Sequence, residues 1–136
     1  MEKAVWDEKY SVNVKEIDEQ HKNMIKFIND VNDNLAAGSD FKFFDDFFDE
    51  LMHHTITHFE TEERYFEKFA YEDAKVHIIE HNNIKKVVTE LQKKYLDDPS
   101  PTVIFEVASL LEAWLMGHIM LHDKKYTKCF NDHGLL

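Results

Sequence analysis

Apolar residues recur along this chain in steps of three and four over four long stretches, the period of a helix with one buried face. The first face reads Ile17, His21, Met24, Ile25, Ile28, Val31 and Leu35. The second reads Phe44, Phe48, Leu51, Thr55, His58 and Glu62. The third is Ala74, His77, His81, Ile84, Val88, Leu91 and Tyr95, and the fourth is Ile104, Val107, Leu111, Trp114 and His118. They predict helices over about residues 18–37, 40–68, 73–96 and 101–126. Residues 1–17 lack that period and read as an arm, with Trp6, Tyr10, Val12, Val14 and Ile17 to pack it across a bundle. Asp18 is the expected N-cap of the first helix, and Gly38-Ser39-Asp40 the break before the second. Neither Gly nor Pro marks the boundary near Phe69 to Glu72. Ser100 as N-cap with Pro101 at the first helical position starts the fourth helix. The tail from Asn131 to Leu136 is expected to be loose. Four such helices with short connections predict an all-α fold, a single domain over residues 1–136. Its architecture is an antiparallel up-down-up-down four-helix bundle with an N-terminal arm.

Composition narrows the function classes. A chain of 136 residues with 43% hydrophobic content can bury one core. A net charge of −11 argues against nucleic acid and anionic membrane as partners. Cys129 is the only cysteine, so no intrachain disulfide forms, which suits a reducing compartment. The first residues carry no apolar signal region, and no apolar run is expected to approach a membrane span. These features set a cytoplasmic expectation.

The chemistry lies in the nine histidines. A lone histidine on an apolar face is ordinarily a satisfied core or surface residue. Here every inner face carries one: His21, then His58, then His77 and His81, then His118. Glu62 follows His58 at i+4, which puts both on one helix face, and His77 and His81 share that spacing. Imidazole needs partners for both nitrogens, and a metal centre between facing helices supplies them.

Asp18-Glu19-Gln20-His21, His58-Phe59-x-x-Glu62-Glu63, His77-x-x-x-His81 and Trp114-Leu115-x-x-His118-x-x-x-x-Asp123-Lys124-x-Tyr126 together resemble the hemerythrins, in their bacterial single-domain form. The resemblance runs from Trp6 to Tyr126. It implies two iron ions (Fe2+/Fe3+) joined by an oxo or hydroxo bridge. His77, His81 and His118 would bind one iron, His21 and His58 the other, and Glu62 and Asp123 would bridge both. One position on the second iron is then left for a small ligand. The implied activity is reversible O2 binding for storage, transport or delivery. Met24, Phe59, Trp114, Leu115 and Ile119 would line the O2 pocket, with Met24 where relatives commonly carry Ile or Leu. Spacing alone favours His122, at i+4 from His118. Asp123, at i+5, lies about 140° round an ideal helix from His118. Its assignment therefore requires a π-bulge or a change of direction between His118 and Asp123.

Other readings fit less well. A ferritin-like di-iron oxidase needs two Glu-x-x-His pairs, and this chain has only Glu50-x-x-His53. Zinc hydrolysis lacks His-Glu-x-x-His. Within the family, O2, redox or nitric oxide sensing and iron buffering stay open. Thirteen residues follow Asp123, which favours a free-standing carrier over a sensor. The chain is expected not to be an enzyme. Its expected partners are O2 as ligand and an oxygen-consuming enzyme as recipient, with the chain a monomer. His53, His54, His122 and His133 receive no ligand role, Glu63 reads as a solvated or outer group, and Cys129 as structural.

Overall fold

A computed structural model describes residues 5–36 and 41–136, with the side chains of all of these except residues 41, 42, 115 and 116. A 3-10 turn at Glu8–Tyr10 is followed by α1 (Lys15–Ala36), α2 (Phe41–Phe69), α3 (Ala74–Asp97) and α4 (Pro101–Trp114). A π turn at Leu115–Ile119, a 3-10 turn at Asp123–Tyr126 and a short α5 (Thr127–Asp132) complete the chain. Each long helix packs on two neighbours: α1 on α2 and α4, α3 on α2 and α4. This is the all-α four-helix bundle that the periodicity predicts, and the described residues contain no strand.

Local chemistry explains the boundaries. Helix α1 begins at Lys15, so Asp18 lies in its first turn and is not the N-cap. Its carboxylate instead accepts from the Ser11 hydroxyl at 2.6 Å and the Val12 amide at 2.9 Å. Those bonds tie the arm to the helix and hold Val12 and Val14 in the core. The Gly38-Ser39-Asp40 break lies outside the described residues. Helix α2 ends without glycine: Ala70 takes the left-handed conformation (φ 49°), and the Tyr71 amide donates back to the Phe66 carbonyl at 3.0 Å. Ser100 caps α4 as expected, its hydroxyl accepting from the Val103 amide at 3.4 Å.

The buried side chains form two apolar clusters. The larger holds Met24, Ile28, Phe44, Phe48, Phe59, Val88, Ile104 and Ile119, among others from all four long helices. The smaller holds Val12, Val14, Ile17, Phe66, Tyr126 and Phe130. Along the chain, most buried histidines and carboxylates fall between the two: His21 between Ile17 and Met24, His58 and Glu62 beside Phe59 and before Phe66, His118 and Asp123 between Trp114 and Tyr126.

Two expectations need correction. The tail is packed, not loose: Asn131 Nδ2 donates to the Asn13 and Leu135 carbonyls at 3.1 and 2.8 Å, and half-buried Leu135 sits against the smaller cluster. And one run does approach a membrane span by length and composition: an 18-residue window within Pro101–Asp132 reaches a mean hydropathy of 1.5. Half of that window is buried inside the bundle, and a core helix passes the same test.

Candidate metal centre

All seven residues named as ligands from the sequence converge in one buried layer. His21, His58, Glu62, His77, His81, His118 and Asp123 are each no more than 3% exposed. Their donor atoms form two groups, each within 4.8 Å. Glu62, His77, His81, His118 and Asp123 make one group, and His21, His58 and Asp123 the other. Asp123 belongs to both. Its Oδ1 lies 2.9 Å from the Nε2 atoms of His77 and His118, while its Oδ2 lies 2.9 Å from His21 Nε2 and 4.0 Å from His58 Nε2. Glu62 spans less evenly: Oε1 stands 3.1 Å from His58 and 3.2 Å from His81, and Oε2 3.9 Å from His77.

Backbone irregularity brings Asp123 inward. In a continuous α-helix it would leave the inner face that holds His118. The π turn spans His118, the His122 amide closes on the His118 carbonyl at 2.8 Å, and the chain then tightens into the 3-10 turn that starts at Asp123. Asp123 ends fully buried while His122, favoured by spacing alone, stays half-exposed.

The donor set fits metal. The oxygens of Glu62 and Asp123, His81 Nε2, and the Nδ1 atoms of His21, His81 and His118 are buried with no hydrogen bond. Burying such groups unpaired costs free energy. The short N···O separations do not remove that cost, because at His58 the facing atoms are both acceptors. Thr61 donates its hydroxyl to the Thr57 carbonyl at 2.9 Å, so it accepts from Gln20 Nε2 at 3.1 Å. That turns Gln20 Oε1 towards His58 Nδ1, 2.6 Å away, which must therefore carry the proton. His58 Nε2 then presents a lone pair to Glu62 and to His21 Nε2, 3.2 Å away. Converging acceptors call for a cation. Five imidazoles and two carboxylates, with no thiolate, suit a borderline transition metal, iron among several.

Without metal, protons take the cation's place. Burial acts against charge on His58, but Glu62 and then Asp123 outweigh it and raise its pKa. His118 is raised against burial by Asp123. His81, where burial prevails, is lowered. Burial and Asp123 would push Glu62 up, yet His58 and His81 bring it down to about 2. Asp123 falls well below its usual value against burial, through His118, His21 and His77.

The surrounding wall is apolar and aromatic. Phe59 stacks on the His81 ring at 3.8 Å, and Trp114 stacks on His118 at 5.9 Å and meets His58 edge-on at 6.3 Å. Met24 and Ile119 are buried in the same cluster. The Leu115 side chain lies outside the described residues. Among histidines without a ligand role, His53, His54 and His133 are exposed, and His133 Nδ1 donates to the Cys129 carbonyl at 2.7 Å.

Three neighbours of the layer, Gln20, Thr61 and Tyr126, received no role from sequence, while Glu63 takes the outer position read for it. Gln20 and Thr61 hold His58, as described above. Glu63 Oε2 stands 3.6 Å from His81 Nδ1, a carboxylate backing an imidazole. The Tyr126 hydroxyl is fully buried; burial, then Glu62 and Asp123, raise its pKa well above 10. Each stands one residue, or about one turn, from a named ligand, which is the signal that could have found them.

Comparison with known proteins agrees. Residues 12–129 match the family model of the hemerythrin HHE cation binding domain. A bacteriohemerythrin of Methylococcus capsulatus is 30% identical over 122 residues, covering 90% of this chain and 92% of that protein. A hemerythrin-like protein of Naegleria gruberi is 30% identical over 121 residues, covering 89% and 88%. A crystal structure of wild-type hemerythrin superposes with a TM-score of 0.80 at 28% identity, covering 93% of this chain and 96% of that one. With the matched region spanning every helix that contributes to the buried layer, this chain belongs to the hemerythrin family, in its bacterial form.

Proposed function

We propose that this protein binds O2 reversibly at a non-heme di-iron centre in the buried layer. His77, His81 and His118 would hold one iron, His21 and His58 the other, and Glu62 and Asp123 would be shared by both. The observation that carries this reading is Asp123, one carboxylate whose two oxygens face different histidine groups at 2.9 Å. When bound, the iron pair supplies two electrons and one open coordination position.

The chain supplies the rest. Gln20 fixes His58 with its Nε2 lone pair towards the metal. The carboxylates balance most of the cationic charge, which lowers the cost of burying it. Phe59, Trp114, Met24 and Ile119 keep water out, and a dry wall opposes the charge separation that would turn reversible binding into oxidation. We read the chain as a binding protein, not an enzyme.

Iron content with optical spectra tests this, taken deoxygenated, in air, and after O2 removal. About two irons per chain and visible bands that come and go with O2 are expected. Bands that form once and do not reverse would favour sensing or iron handling. Absence of iron would overturn the reading.

A further inference from the structure

The seven layer residues are nearly sealed, so a metal ion needs a path to them. Among the described residues, a surface cleft reaches the layer. It has a volume of about 120 Å³ and is lined by Tyr71, Asp73, Val76, His77, His122 and Lys125. That is room for about four waters at ~30 Å³ each, enough for a partly hydrated cation. His77 and His122 both line it, and His122 is 27% exposed. The His122 ring is 6.1 Å from that of His77 and 5.6 Å from that of His118. Its Nε2 lies 4.0 Å from Glu80 Oε2.

We propose that this cleft is the route by which divalent metal ions load the layer, with His122 and Glu80 as a staging pair. His122 is the residue that spacing favours as a ligand of the centre, and the π turn leaves it outside. There it can hold a cation while water is exchanged for the imidazoles of His77 and His118. The pair offers two donors, whereas each group in the layer offers at least three, so a cation is passed inward, not trapped. Asp73 attracts cations to the same cleft, and Lys125, exposed at its edge, repels them. The inference rests on the reading of the layer as a metal centre.

The test mixes metal-free full chain with Co2+ under anaerobic conditions, follows the uptake rate by absorbance, and measures final metal per chain. His122→Ala and Glu80→Gln should each slow uptake about threefold or more, and Lys125→Ala should speed it about twofold, since one charge beside a narrow path changes arrival of an ion by such factors. Final metal per chain should equal that of the parent in all three. Unchanged rates would overturn the route. So would reversed signs for Glu80→Gln and Lys125→Ala, which would mark a path for anions. A lower final metal content in His122→Ala would make His122 a ligand of the centre and overturn its staging role. Failure of the parent chain to take up any metal would overturn the reading of the layer itself, and the route with it.

Discussion

The two apolar clusters beside the polar layer are built in different ways. The larger comes mostly from the faces of four long helices, where every third or fourth residue points inward. The smaller joins distant parts of the chain: Val12 and Val14 from the arm, Phe66 from the end of α2, Tyr126 and Phe130 from beyond the π turn. Long-range hydrogen bonds hold its parts together, such as Thr127 Oγ1 to the Val12 carbonyl at 2.9 Å. The larger cluster can hold the bundle together through its helix faces. The smaller packs against one side of the layer, where Phe66 and Tyr126 meet the His77 ring at 4.8 and 5.8 Å. Both clusters thus contribute stability, but only the smaller depends on contacts between parts distant in the chain.

Matched truncations break or sharpen this contrast. Phe48 and Phe130 are both buried, at 2% and 0% exposure. Either change to Ala should cost about 3–5 kcal/mol in urea unfolding of the metal-free chain. Only Phe130→Ala should also speed metal loss to a chelator, by about tenfold, because only it opens the layer. Equal release rates for Phe48→Ala and Phe130→Ala would remove the distinction.

The next effect acts within the layer. Gln20→Ala removes the acceptor that holds His58 in one tautomer and should weaken metal binding by about 10–100-fold in a chelator competition. Gln20→Glu keeps an acceptor at that place and should restore most of the affinity. Loss of affinity in both would mean that Gln20 matters only for packing. Acid should likewise act on the layer and not on the apolar clusters. In the metal-free chain the Glu62 pKa is lowered from 4.5 to about 2. A depressed carboxyl stabilises the fold above its unfolded value, so its contribution is complete above about pH 4.5 and lost as pH falls towards 2. Urea midpoints across that window should fall in the parent and fall less in Glu62→Gln.

These contrasts follow what could be read from the sequence. The faces of the four long helices were legible because period-3.6 burial is a local property, and every residue read onto them with a described side chain is buried or half-buried. The seven layer residues were legible through the family resemblance, and six of them also lie on those faces. Asp123 lies off the face, and its own offset signalled the π turn that moves it inward. The arm's attachment was not legible, since Asp18 has the sequence signature of a cap whether it binds its own helix or, as here, the backbone before it. Nor was the end of α2, where Ala70 adopts a backbone conformation usually left to glycine. The tail was misread for a similar reason. Its order depends on contacts with residues more than a hundred positions away, and no local pattern encodes those.

That tail gives the smallest effect, and the most specific one. The side-chain amide of Asn131 uses both hydrogens, one on Asn13 of the arm and one on Leu135. Asn13 has φ 55°, and its carbonyl is presented to Asn131 from that left-handed conformation. Asn131→Ala should cost about 0.5–1.5 kcal/mol, the usual net value of such bonds at a partly wet site. If the smaller cluster is a seal, the loss should be local. Amide hydrogen exchange should rise in the arm and in α5 while α2 and α3 stay protected. Faster exchange throughout the bundle would mean that the two clusters fold as one cooperative unit and that the division between them is only geometric. Exchange unchanged everywhere would return the tail to the loose state that its sequence suggested.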